Sequence, residues 1–243
     1  MERSGVVWAA AVLALGLAVG GWFVGDGFLD SRRERYVTVK GLAERDVEAD
    51  LALWPFQVAA AADDLAAAQS EIERSTRAVL AFVARQGIDT TAAELQGVEV
   101  TDRVAQMLGP NARSGPRFTV QQLVMVRSED VAGVHAASQR VGELIDDGVV
   151  LRSGSGYGPV KPTFLFKGLN ALKPVMIAEA MASARESAAQ FAEDSGSRLG
   201  GIRRANQGVF QILPRDAAPG MGEADQVNKT VRVVSTIDYY LRD

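Results

Sequence analysis

Residues 6–24 of this chain, VVWAAAVLALGLAVGGWFV, contain no charged side chain. No other segment narrows the architecture as far. As a helix rising about 1.5 Å per residue the run is roughly 30 Å long, the thickness of a bilayer's hydrocarbon core. Trp8 and Trp22 stand near its two ends, where indoles favour the membrane–water interface. Gly16 and Gly20, and again Gly21 and Gly25, are spaced four apart. That spacing lets two helices approach closely in lipid; plain glycine richness is the competing explanation. The run reads as an uncleaved transmembrane anchor over residues 1–30. A cleaved signal peptide is the alternative: Arg3 supplies a basic start, but Ala18-Val19-Gly20 is a weak cleavage site and apolar residues continue to Phe28. A buried soluble helix normally keeps a polar face, which this one lacks. Arg32, Arg33 and Arg35 follow the run and only Arg3 precedes it, so the charge count by itself holds the body in the cytoplasm.

Residues 31–243 read as one α+β body. Its hydrophobic fraction is ordinary for a globular protein, 47% over the whole chain, and the length allows a sizeable core. Net charge is −4, with acids and bases interspersed and no basic stripe, so nucleic acid is not an expected partner. The chain has no cysteine, which excludes disulfides, thiolate metal sites and cysteine nucleophiles.

Residues 35–40 read as a short strand, 41–46 as a turn through Gly41 and Glu44-Arg45-Asp46, and 47–53 as a half-buried strand with Val47, Ala49, Leu51 and Leu53 inward. The buried parity then slips at Trp54-Pro55, as a bulge or strand edge would explain. Asp63 or Asp64 caps a helix to about Gln86, stopped by Gly87. Residues 95–103 and 117–127 form a strand pair. Asp130 caps a second helix, with Val131, Val134, Val141, Leu144 and Ile145 inward and Gly148 ending it. Strands are expected at 149–153 and 162–167, then an alanine-dense helix over 170–195 with Pro174 in its first turn, where proline is tolerated. Strands at 201–213 and 229–241 flank an aperiodic loop, 214–228, expected to be mobile. Tyr239 shares parity with Val231, Val233 and Ile237, which assigns it to the core. The repeating order, strand-strand-helix with a closing strand pair, predicts an antiparallel-rich α+β fold.

Chemistry is hard to find. His135 is the one histidine, placed mid-helix with no nucleophile motif around it. There is no G-x-S-x-G elbow and no phosphate loop. Gly154 and Gly156 lack the third glycine of a dinucleotide fingerprint and suit a turn. Asp63-Asp64 and Asp146-Asp147 fall at helix ends, where solvated or capping roles suffice. No catalytic, cofactor or metal residues are assigned, an enzyme is not expected, and the identity of any small-molecule ligand is left open.

The segment YVTVKGLAERDVEADLAL from residue 36 resembles the start of the SIMPL domain family, which includes YggE-like bacterial periplasmic proteins. FTVQQLVMVR from residue 118, the alanine-spaced helix running into Ser197-Arg-Leu-Gly-Gly201, and VRVVSTIDYYL from residue 231 are similar to later parts of that family. The resemblance covers about residues 36–241. It implies an extracytoplasmic α+β protein without assigned catalytic residues, linked to envelope and oxidative-stress responses, and large ring-shaped, channel-like homo-oligomers are known for one member. It also implies the side of the membrane: a body in the periplasm, held by one pass through a bacterial inner membrane, or soluble there if the leader is cleaved. Three functions follow as expectations: a tethered homo-oligomeric scaffold, a binding or chaperone-like module for a lipid, peptide or envelope protein, and, least, an enzyme.

Overall fold

The computed structural model describes residues 14–16, 20–22, 35–106, 115–152 and 160–243. Most of the apolar run 6–24, Trp8 included, lies outside the described residues, as does Gly25. The described parts of it, 14–16 and 20–22, are helical and exposed. Among the described residues, no helix is long and apolar enough to cross a membrane.

The chain forms β1 (Tyr36–Glu48), β2 (Leu51–Ala62), α1 (Leu65–Arg85), β3 (Glu94–Asp102), α2 (Arg103–Gln106), β4 (Phe118–Ser128), α3 (Val131–Ser138), α4 (Glu143–Asp146), β5 (Thr163–Leu165), α5 (Leu169–Asp194), β6 (Arg198–Gln207), β7 (Gln211–Pro214), a 3-10 turn (Glu223–Asp225) and β8 (Asn228–Arg242). One sheet has the order β3-β4-β2-β5; in the other the order is β1-β8-β6, with β7 also on β8. β2 with β4, β2 with β5, β3 with β4, β6 with β8 and β7 with β8 all pair antiparallel. The fold is therefore α+β with antiparallel sheets. It divides into two compact units, each discontinuous in sequence, one of Met1–Ala43, Val175–Phe210 and Val233–Asp243, the other of Glu44–Pro174 and Gln211–Arg232.

The larger unit is built on α1 over β2 and β4. Asp64 caps α1 by accepting from the Ala67 N–H, and Gly87, at φ +79, lets the chain leave it. Ile72, Val79, Phe82 and Val83 recur at helical spacing and are buried, against Trp54, Phe56 and Val58 of β2 and Val120, Val124 and Val126 of β4. Trp54 lies 4.5 Å from the Phe56 ring and edge-on to Phe82 at 6.1 Å.

The smaller unit rests on a stripe of small side chains. Met176, Ala180, Ala184, Ala188 and Ala192, one every fourth residue of α5, are buried. Val37, Ile237 and Tyr239 pack with Ala184 and Ala188. At Gly41 a Cβ would fall 1.8 Å from the Ala180 carbonyl oxygen and 2.6 Å from the Ala184 nitrogen. Alanine on the helix and glycine on the strand thus permit backbone-to-backbone approach.

Several expectations are corrected. The turn over 41–46 is absent: β1 runs straight through to Glu48, and Gly41 serves close packing rather than reversal. The parity change falls at Leu51 and Ala52, both buried, next to the β1–β2 corner. At Trp54-Pro55 the ladder to β4 is unbroken. Pro55 is accommodated on the other side of β2, where pairing covers 51–53 with β5 and resumes at the Val58–Leu151 bridge. Its missing N–H falls in the gap, so no ladder bond is lost there among the described residues. The helix expected from Asp130 breaks in two. The Gln139, Arg140, Glu143, Leu144 and Ile145 N–H groups all bond three residues back. That tighter winding rotates the face, leaving Leu144 buried and Ile145 66% exposed. Of the strand expected at 149–153, the described residues 149–152 show the bridge at Leu151.

Candidate functional site

Residues 214–228, expected to be mobile, form a tied-down loop instead. Its order comes from polar contacts, which leave no periodicity in a sequence. The buried Gln226 side chain donates to the Asp216 carbonyl oxygen and accepts from the Asp216 N–H. Ala218 bridges to Met221 around Gly220 at φ +78. The Lys229 side chain is completely buried and gives its ammonium to the Glu223 carboxylate and to the Glu223 carbonyl oxygen, the latter at 2.6 Å. Burial of a lysine without partners would be costly, so this pairing locks the 3-10 turn to the start of β8. A second clasp joins Lys161 Nζ to Asp225 Oδ1 at 2.6 Å. That bond, and the Gly222 N–H donating to the same side chain, holds the Asp225 carboxyl below its usual range.

The loop walls a cleft of about 480 Å³, lined by Glu48, His135, Asp216, Met221, Asp225 and Gln226 among others. His135 enters from α3 and lies edge-on to Phe164 at 5.8 Å. Among the described residues, the lining holds no serine, threonine or cysteine. Asp216 and Asp225 already meet Arg215 and Lys161. The cleft has the size and mixed polarity of a small-ligand site. Its described side chains include no nucleophile beside a base. Among the described residues, no group of three side chains is placed to hold a metal ion.

The second kind of surface is the sheet edge. β3 ends its sheet and is exposed along Glu94–Val100 on both faces. Leu95 and Val100 stand opposite Val124 and Val120. Gly97, at φ +50, occupies a bulge that puts Val98 opposite Gln122 and returns it to the same face. The three side chains are 56%, 48% and 61% exposed, and Val104 on α2 extends the patch. Asp102 anchors the end of β3 by accepting from Arg117, which lowers its pKa. β6 ends the other sheet and is exposed from Gly201 to Gln207.

Among the described residues, an added Cβ at Gly16, Gly20 or Gly21 would meet nothing within 4 Å. Trp22 is 75% exposed. Tyr239 is in the core, as its parity implied. Asp63 accepts from the Arg117 N–H, Asp64 caps α1, and Asp147 pairs with Arg85 at the surface. Sequence reasoning missed Lys229, although it shares parity with Val231, Val233, Ile237 and Tyr239, a readable sign of burial.

Residues 37–238 match the model of the family described as SIMPL, a protein of unknown function (DUF541). The chain belongs to the SIMPL family. No curated protein matches it. The SIMPL match spans both compact units, the cleft and both exposed edges, and it begins after the apolar run. It defines a shared fold and assigns no activity.

Proposed function

We propose that this SIMPL chain is a non-enzymatic, membrane-anchored extracytoplasmic protein that assembles with copies of itself into a ring-like scaffold or channel-like assembly serving an envelope or oxidative-stress response. The observation that carries the reading is the open edge of β3. Natural sheets cover, shorten or twist away such edges, because exposed N–H and C=O groups invite another strand. Here the edge is long and carries Leu95, Val98 and Val100 into solvent. The uncharged run 6–24 supports attachment to a membrane, and its glycine spacing suits several spans lying side by side. Electron microscopy of full-length protein extracted in mild detergent tests the reading. Closed particles of fixed symmetry are expected; a monodisperse monomer across concentrations would overturn it.

A second reading, a binding module, is favoured by the cleft beside His135. Native mass spectrometry of protein purified from the envelope would then find a small-molecule adduct. Replacing Met221 with Lys, which puts a charge at the cleft mouth, would abolish it. An adduct-free spectrum would remove this reading.

A further inference from the structure

Among the described residues two long strand edges lie open, and their charges are opposite. β3, ELQGVEVTD, carries Glu94, Glu99 and Asp102 with no base; β6, RLGGIRRANQ, carries Arg198, Arg203 and Arg204 with no acid. The remaining edge positions differ. β5 and β7 are strands of three and four residues, and β1 mixes lysine, arginine and acids. We infer that β3 of one copy pairs with β6 of the next, extending the sheet of each across the contact. The inference rests on the self-assembly reading and names the surfaces that would carry it.

Three observations select this pairing. Both strands are edges by topology, with nearly all side chains exposed on both faces. Each is bulged near one end and regular at the other: β3 keeps an uninterrupted register from Val98 to Asp102, and β6 from Arg204 to Gln207. Backbone bonding across the contact therefore has four or five residues to work with on each side. Charge decides the choice of partner. β3 against β3 would set acids against acids about 5 Å apart, and β6 against β6 would do the same with arginines. Only β3 against β6 is attractive, which suppresses two-fold dimers through either edge. The contact uses different surfaces on the two copies, so it is heterologous. Repeated, it generates rings or open filaments rather than dimers. The apolar side chains agree: Leu95, Val98 and Val100 on one edge, and Leu199, Ile202 and Ala205 on the other.

The test uses the full-length chain in mild detergent. Glu94→Arg with Glu99→Arg is one variant, and Arg198→Glu with Arg204→Glu is the other. Each should raise the concentration for half-assembly at least about tenfold, and an equimolar mixture of the two should recover assembly into the wild-type particle, because copies that alternate set a basic edge against an acidic one at every contact. The chain carrying all four changes should recover it to within about threefold, because its two edges are complementary again. The absence of cysteine allows an independent readout. Val98→Cys and Ala205→Cys proteins should cross-link when mixed and oxidised, and neither should do so alone. Circular dichroism of each variant excludes misfolding. Assembly unchanged by both charge reversals, or cross-linking of Val98→Cys with itself, would overturn the pairing while leaving self-assembly standing. A wild-type chain that stays monomeric would overturn both.

Discussion

Replacing Gly41 with alanine adds one methyl group at the closest approach in the smaller unit. The new Cβ would start 1.8 Å from the Ala180 carbonyl oxygen, 2.6 Å from the Ala184 nitrogen and 2.8 Å from the Ala184 Cβ. A carbon and a carbonyl oxygen rest no closer than about 3.3 Å, so α5 and β1 must separate by roughly 1.5 Å. No rotamer relieves the clash, since two of the three obstructing atoms are helix backbone. Separation on that scale forfeits much of the dispersion contact along Ala180, Ala184 and Ala188. Overpacking typically costs about 1–3 kcal/mol, more where the backbone must move, and the expected loss here is about 3 kcal/mol or greater. For a chain of this size that lowers Tm by roughly 6–12 °C. Thermal unfolding followed by circular dichroism measures it. Gly201→Ala is the matched control: that glycine is also in a strand, but an added Cβ meets nothing within 4 Å, and its Tm should stay within about 2 °C of wild type. If the two variants unfold together, the close β1–α5 packing is wrong.

Trp54→Phe should cost less than about 1.5 kcal/mol and Trp54→Ala about 3–5 kcal/mol in urea unfolding. The indole N–H is buried without a partner among the described residues, so phenylalanine loses ring volume and no hydrogen bond. Lys229→Ala should destabilise by about 2–3 kcal/mol through lost packing and an unpaired Glu223, with Lys229→Met, which refills the volume, costing less than half as much; equal losses would deny the stem its packing role. Hydrogen exchange in the 216–227 loop should respond to acid. The Asp225 carboxyl is held below its usual range by Lys161, so its contribution is complete above about pH 4 and is lost as pH falls through its lowered value. Protection that fades between pH 7 and pH 5 would contradict the Lys161–Asp225 clasp.

Elements whose evidence is local are legible in the sequence. The α1 helix carries its own period, cap and stop, and α5 announces itself by alanines spaced four apart. The strands 94–102, 118–128 and 228–242 were found to within a few residues. Gly41 misled because glycine beside Glu44-Arg45-Asp46 has the composition of a turn, whereas its cause lies in Ala180 and Ala184, well over a hundred residues away. The 139–145 segment misled because hydrogen bonds to the third residue shift the phase without changing composition. The loop at 214–228 was misjudged for a related reason, since Gln226 and Lys229 order it through single contacts. As for the candidate surfaces, the one-signed charge of β3 and β6 is plain in the sequence. That both are edges is a property of strand order, which no local pattern encodes.

The place of β1 beside β8 bears on how the protein is made. Among the described residues β8 is its sheet neighbour, and Thr38 reaches Asp238 across 200 positions of sequence. Synthesis proceeds from the amino end, so β1 leaves the ribosome long before its partner exists. Throughout that interval its backbone groups have no mate, and closing so long a loop is slow. A nascent chain halted after β7 would hold a finished α1 layer and an orphaned first strand. Protection of that strand until β8 emerges is then a requirement separate from the stability of the completed fold.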